Sequence, residues 1–349
     1  MRVNVSKSAA EGLTGILCNL VNGVNVNKDS IITFLRNDPG CKAQFKFYGS
    51  NITEEEYADV LIKSAKNEIY ETDNDILTRM NNALMRISKN MDLLDKKITN
   101  IRNYNFKILE DKLKDTLPED TQLDLNIFFC LDGYNAGSIV DKNTMCLDAL
   151  FWVSDKTQEE RVEGIILHEF HHIGCLYWLD KNDRRNSLLS RKDNKSLVMQ
   201  LIDQIMSEGV AVYFFNEGED LYELFHEAYG IDIGINLEEK YLNSWNGVDK
   251  KLNDLNNLLV ELLTEPDSEY NRLKEVVNEY FYMKNNEEAL DKVIGKYMCS
   301  AIDSSLGREK LLECFKDPNK FLNYYNEACN KVQKNGLDRE VLLKFNNLW

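Results

Sequence analysis

Three of the chain's four histidines fall inside one apolar segment, GIILHEFHHIG (164–174). His168 and His172 are four residues apart, so on a helix they lie only about 40° from each other around the axis. Two imidazoles on one face can converge on a single divalent ion, as zinc requires at ~2.0–2.1 Å. Glu169 is turned about 100° from His168. From there it flanks such an ion without having to bind it, and can take a proton from metal-activated water. The pattern is H-E-x-x-H. Ile166, Phe170, Ile173 and Tyr177 supply an apolar face opposite the two histidines, which seats the helix in a core. Two other arrangements compete with this one. His168 and His171 also make a same-face pair, although Glu169 then has no task, and the histidines are otherwise hydrogen-bonded core residues. His171, about 100° from His172, is expected to be structural or to support a ligand.

A catalytic zinc ordinarily has three protein ligands and keeps one position open. No further histidine follows at short spacing. Cys175 lies three residues past His172, where packing is the plainer role. The remaining donors are carboxylates on SLVMQLIDQIMSEGVAVYFFN (196–216), an apolar helical stretch carrying Asp203 and Glu208. Glu208 is followed by Gly209 and Ala211, small residues that allow a neighbouring helix to approach closely. A carboxylate buried there needs a cation or several donors. Gln200, Asp203, Gln204 and Ser207 form a polar stripe with Glu208 at its edge, so solvation is the alternative.

The elements that position these residues are mostly helical. TEEEYADVLIKSAKNEIYE opens with Thr53 and Glu56 in a capping box. Ile76, Met80, Leu84, Ile87, Met91 and Leu94 predict one long helix over 74–101. QLDLNIFF (122–129) alternates like a strand, LDGYNAGS (131–138) is turn-rich, and NTMCLDALFWV (143–153) reads as a second strand. Thr157 and Glu160 mark the start of the histidine helix. Beyond about 196 the chain reads as helix again, with a break at Gly218–Glu219–Asp220 and a loop at 243–249. The expected class is α+β, predominantly α-helical, with a small sheet just ahead of the histidine helix. The expected organisation is a helical N-terminal region (1–118), a core holding both site helices (119–217) and a helical C-terminal region (218–349).

With 349 residues, 43% of them hydrophobic and 29% charged, the chain has the composition of a globular protein. A formal charge of −16 opposes nucleic-acid binding, which needs surplus lysine and arginine. No run reaches the ~18 apolar residues of a membrane span. The eight cysteines are scattered without a CxxC and read as buried thiols in a reducing compartment, the cytoplasm.

The pairing of HEFHH with a downstream SEGVA resembles the gluzincin zinc metallopeptidases. More closely, the chain resembles a group of bacterial zinc-dependent peptidases first catalogued as a domain of unknown function. That likeness continues through IGKYMCSAIDSSLGREKLLECFKDPNKFLNYYNEA (294–328) and covers most of 120–330. The resemblance implies a zincin-like core with one zinc ion per chain. His168, His172 and Glu208 are then the ligands, and Glu169 the general base for attack of water on a peptide or protein substrate. It also implies a donor to the oxyanion, for which Tyr297 is the candidate and His226 the other. NTMCLDALFW is implied as the edge strand that pairs with substrate backbone. The linker between His172 and Glu208 departs from the short one of the thermolysin type, and its charged loop leaves room for Asp203 instead. A zinc hydrolase of a non-peptide bond is an alternative reading. A non-catalytic helical interaction protein with a residual zinc site is another.

Overall fold

A computed structural model describes residues 1–215, 221–230, 244–282 and 289–348. The chain is mostly helical with one four-stranded mixed sheet, and it divides into two compact units. The first unit comprises Met1–Lys112, Gln122–Glu169 and the described part of Glu219–Gly234. The second comprises Leu113–Thr121 and the described parts of Phe170–Gly218 and Ile235–Trp349.

The sheet belongs to the first unit. Its strands are β1 (Arg2–Ser6), β2 (Asp124–Cys130), β3 (Gly137–Asp141) and β4 (Thr144–Asp148), in the order β1-β2-β4-β3. β1 and β4 each run parallel to β2, while β3 returns antiparallel along β4. The expected alternation is present in β2, where Leu125, Ile127 and Phe129 are buried. Two strands go beyond the expectation. β1 lies in the segment read as helical, its Val3 and Val5 too few to make a pattern. β3 arises from the end of the turn-rich stretch. Its presence changes the role expected of NTMCLDALFW. β4 is an interior strand, buried at all five residues, and β3 is the edge beside it. Continuous burial marks a strand covered on both faces, and pairing with both β2 and β3 makes it interior.

Helices α1 (Ser8–Val21), α2 (Lys28–Asn37), α3 (Pro39–Tyr48) and α4 (Glu54–Ala65) pack on and around this sheet. The Thr53–Glu56 capping box is formed at α4. The single helix expected over 74–101 is two, α5 (Asp75–Ser88) and α6 (Met91–Asn103). Asn90 breaks the run because its side chain accepts from the Leu93 N–H, starting a new helix. α7 (Lys107–Lys114) follows.

Buried polar groups fix the approach to the histidine helix, α8 (Glu159–Leu179). Asp148 accepts from the backbone N–H groups of Asp132, Gly133 and Leu150, tying the loop after β2 to the turn after β4. The buried ammonium of Lys97 donates to the carbonyls of Leu150 and Trp152 and pairs with Glu227 on α11 (Leu221–Tyr229). Lys112 pairs with buried Glu163, clamping the first turns of α8 to α7. α8 begins two residues after Thr157, and it is Asp155 that caps the short turn leading into it.

The division between the units falls within α8, after Glu169, and α8 itself is one continuous helix. In the second unit the segment around Leu117 crosses α8 at Gly174, where a Cβ would come within 2.4 Å of the leucine side chain. Trp178 donates to Thr121 on the same segment. α9 (Asp183–Leu189) leads to α10 (Asn194–Phe215). Beyond these lie α12 (Val248–Thr264), α13 (Tyr270–Asn278), α14 (Leu290–Leu306), α15 (Arg308–Lys316), α16 (Asn319–Lys331) and α17 (Arg339–Asn346). The break expected at 218–220 lies outside the described residues. The loop expected at 243–249 is described only from Ser244, and α12 begins within it.

α10 and α14 meet at Gly209 and Gly295. A Cβ on Gly295 would fall 2.1 Å from the Ile205 carbonyl oxygen, and one on Gly209 only 2.3 Å from the Gly295 backbone. Gly295→Ala is therefore expected to destabilise the fold by about 1–3 kcal/mol, as overpacking does, despite the ~1 kcal/mol that alanine gains in helix propensity. Denaturant unfolding reads this directly. A more stable variant would show that the two helices separate freely.

Candidate metal centre

α8 presents His168 and His172 one turn apart on one face, as their spacing predicts. Ile166, Phe170 and Ile173 are buried, so the helix is held rigidly by its apolar side. α10 brings Glu208 to the same place. One ligand atom each from His168, His172 and Glu208 lies within 4.8 Å of the other two. The Nε2 atom of His172 stands 3.4 Å from Oε1 of Glu208, and the two side chains are only 14% and 15% exposed. His168 is buried. Two imidazole nitrogens and a carboxylate oxygen are a donor set suited to zinc, with one tetrahedral position left over. Calcium or magnesium would call for oxygen donors throughout.

Glu208 sits one residue before the Gly209–Gly295 contact, and the same contact brings the start of α14 alongside it. Lys292 Nζ lies 3.9 Å from Glu208 Oε2, and Gln204 donates to Glu208 Oε1 at 3.3 Å. Burial, reinforced by the charge of Glu208, pushes the neighbouring Asp291 carboxyl up to about 6.

The rival carboxylate, Asp203, is engaged elsewhere. Its Oδ2 accepts from Arg185 on α9 at 2.6 Å, both side chains being nearly buried. Burial raises it to about 6 against the pull of that guanidinium. The polar stripe read on α10 is not simply a solvated face. Asp203 holds Arg185, Gln204 holds Glu208, and Ser207 lies 2.9 Å from His172 Nδ1.

His171 points into the second unit, fully buried, with Nε2 3.0 Å from the Thr116 carbonyl and Nδ1 3.3 Å from the Cys175 thiol. Neither it nor Cys175 belongs to the three-residue group. Glu169, half-buried, directly follows His168 and is likewise outside it. Tyr297 lies two positions past Gly295, about 200° round α14 from the face that meets α10. Its hydroxyl accepts from Lys334 at 3.2 Å. His226 is exposed on α11, in the first unit. Sequence reasoning passed over Lys292, and it placed Gln204 and Ser207 in the polar stripe of α10 without giving them a role at the site. The signal for those two was that stripe, with Ser207 directly before Glu208 and Gln204 one helical turn before it.

Two histidines from one helix and a carboxylate from a second define a candidate metal site of the kind found in zinc enzymes. The chain belongs to the family described as "Putative zinc dependent peptidase (DUF5700)", which matches residues 35–334. The match reaches well toward the N-terminus, past the stretch that carried the resemblance in sequence. No curated protein and no solved structure matches the chain. Membership implies a protein substrate, and no helix among the described residues is long and apolar enough to cross a membrane.

Proposed function

We propose that the protein is a zinc-dependent metallopeptidase of the gluzincin type, with a zincin-like core. The observation that carries this reading is the convergence of His168, His172 and Glu208 within 4.8 Å, in a chain of a zinc-dependent peptidase family. Those three residues would hold the ion. When bound, zinc supplies Lewis acidity to a peptide carbonyl and to water. The carboxylate of Glu169 would take the proton of the attacking water and return it to the leaving amine. Among the described residues the edge beside β4 is β3, so β3 and not β4 is the strand open to pairing with an extended backbone. Tyr297, directed at Lys334, is poorly placed to serve an oxyanion. Lys292, beside Glu208, is the better-placed cation. A reducing, cytoplasmic setting is part of the proposal, supported by eight free cysteines.

Metal analysis of the purified chain is expected to find about one zinc per molecule. Combining His168→Ala with His172→Ala should remove it. Casein cleavage should stop on chelation and return with zinc. Full zinc occupancy in the double variant would end the assignment of this site. Stoichiometric zinc without cleavage of casein or of ester probes would favour a residual, non-catalytic site.

A further inference from the structure

We propose that Lys292 is a positioning residue of the metal site, holding the second oxygen of Glu208 so that Glu208 would bind zinc through Oε1 alone. The ion's fourth position is thereby left for water. This rests on the zinc site proposed above, and it brings a third helix, α14, into that site.

The two oxygens of Glu208 face different groups. Oε1 is turned to α8, 3.4 Å from His172 Nε2, and Gln204 donates to it at 3.3 Å. Oε2 is turned to α14, where Lys292 Nζ stands 3.9 Å away. A carboxylate oxygen has two lone pairs, so Oε1 can serve Gln204 and an ion together. At 3.9 Å the ammonium is too far for a hydrogen bond and acts on Oε2 by its charge. That attraction is felt because Glu208 is only 15% exposed, and salt screens a partly buried pair less than a surface one.

Helix packing fixes both partners. α10 and α14 belong to the same unit, and Gly209, directly after Glu208, lies against Gly295 with no room for a Cβ on either. Lys292 is three positions before Gly295 and only about 60° from it round α14. Buried Asp291 accepts from the Lys292 backbone N–H at 2.8 Å, which ties down the first turn of the helix. The ammonium is therefore delivered to Glu208 by the same contact that sets the register of the two helices. Without its charge the carboxylate can turn about the Cγ–Cδ bond and offer both oxygens to one ion. Three ligand residues would then supply four atoms, and the position a catalytic zinc keeps open would be filled. Ligating carboxylates depend on outer partners for their orientation in this way.

Crystals of the zinc-loaded protein read the arrangement directly. In the wild type one oxygen of Glu208 is expected within ~2.0–2.2 Å of zinc, with water at the fourth position. Lys292→Met keeps an unbranched side chain without the charge, and there both oxygens should reach the ion and the water should be lost. Casein cleavage should fall about 10–100-fold in that variant, the usual cost of losing a group that supports a ligand. Lys292→Arg, which restores the charge, should bring back the single-oxygen ligand and most of the activity. Glu208 bound through one oxygen in Lys292→Met, just as in the wild type, would overturn the proposal whatever the activity. So would a wild-type Glu208 bound through both. Wild-type crystals with no zinc at His172 and Glu208 would instead overturn the zinc reading, and this proposal with it.

Discussion

Glu169→Gln is expected to keep one zinc per chain and to lose hydrolysis by ~10²–10⁴-fold, the range a positioned general base contributes. Glutamine preserves the volume and one carbonyl oxygen of the side chain, so packing around α8 is undisturbed, but it cannot accept a proton at neutral pH. The helix separates the two roles. His168, His172 and Glu208 gather within 4.8 Å, whereas Glu169 is outside that group although it directly follows His168. Zinc content and kcat are measured on the same preparation, with thermal unfolding to confirm the fold. An inactive variant with full zinc fits a base. Loss of zinc would make Glu169 a ligand and end the proposed mechanism, and full activity would remove it from the chemistry.

What could be read in the sequence was whatever depends on local spacing. The four-residue interval of His168 and His172 fixes a shared helix face whatever the surroundings. The Thr53–Glu56 capping box is made within one turn. The small residues after Glu208 correctly signalled a close helix contact, realised against Gly295. The features that escaped depend on partners remote in sequence. β1 is a strand because β2, more than a hundred residues later, pairs with it. β3 is the edge because the turn-rich stretch folds back along β4. The break between α5 and α6 was masked because Ile87, Met91 and Leu94 keep helical spacing across it, while a single Asn90 cap interrupts the backbone. Tyr297 and Lys292 share α14, and the register set by Gly295 turns the lysine toward Glu208 and the tyrosine toward Lys334. That register is a tertiary fact with no local signature.

The choice between Asp203 and Glu208 as third ligand also depends on a partner, and the two alanine variants should differ in kind. Glu208→Ala removes a proposed ligand atom and is expected to cost more than ~100-fold in zinc affinity, beyond the ~10–100-fold typical of groups that only support ligands. It should cost little stability in the metal-free protein, because a mostly buried carboxylate is itself expensive to desolvate. Asp203→Ala should do the reverse. Arg185 and Asp203 are 9% and 10% exposed and joined at 2.6 Å, so deleting the carboxylate leaves the guanidinium in a nearly dry site with only Asn186 at 2.9 Å and Asp180 at 3.7 Å. Breaking such a pair destabilises by about 3–5 kcal/mol. Zinc affinity should remain near that of the wild type, since five positions on α10 turn Asp203 about 140° from Glu208 and one ion cannot meet both. Chelator competition gives the first quantity and denaturant unfolding the second, on both variants. If Asp203→Ala lost the metal while Glu208→Ala kept it, the ion would sit on the Arg185 side of α10, and the gluzincin ligand set would be wrong at its third member.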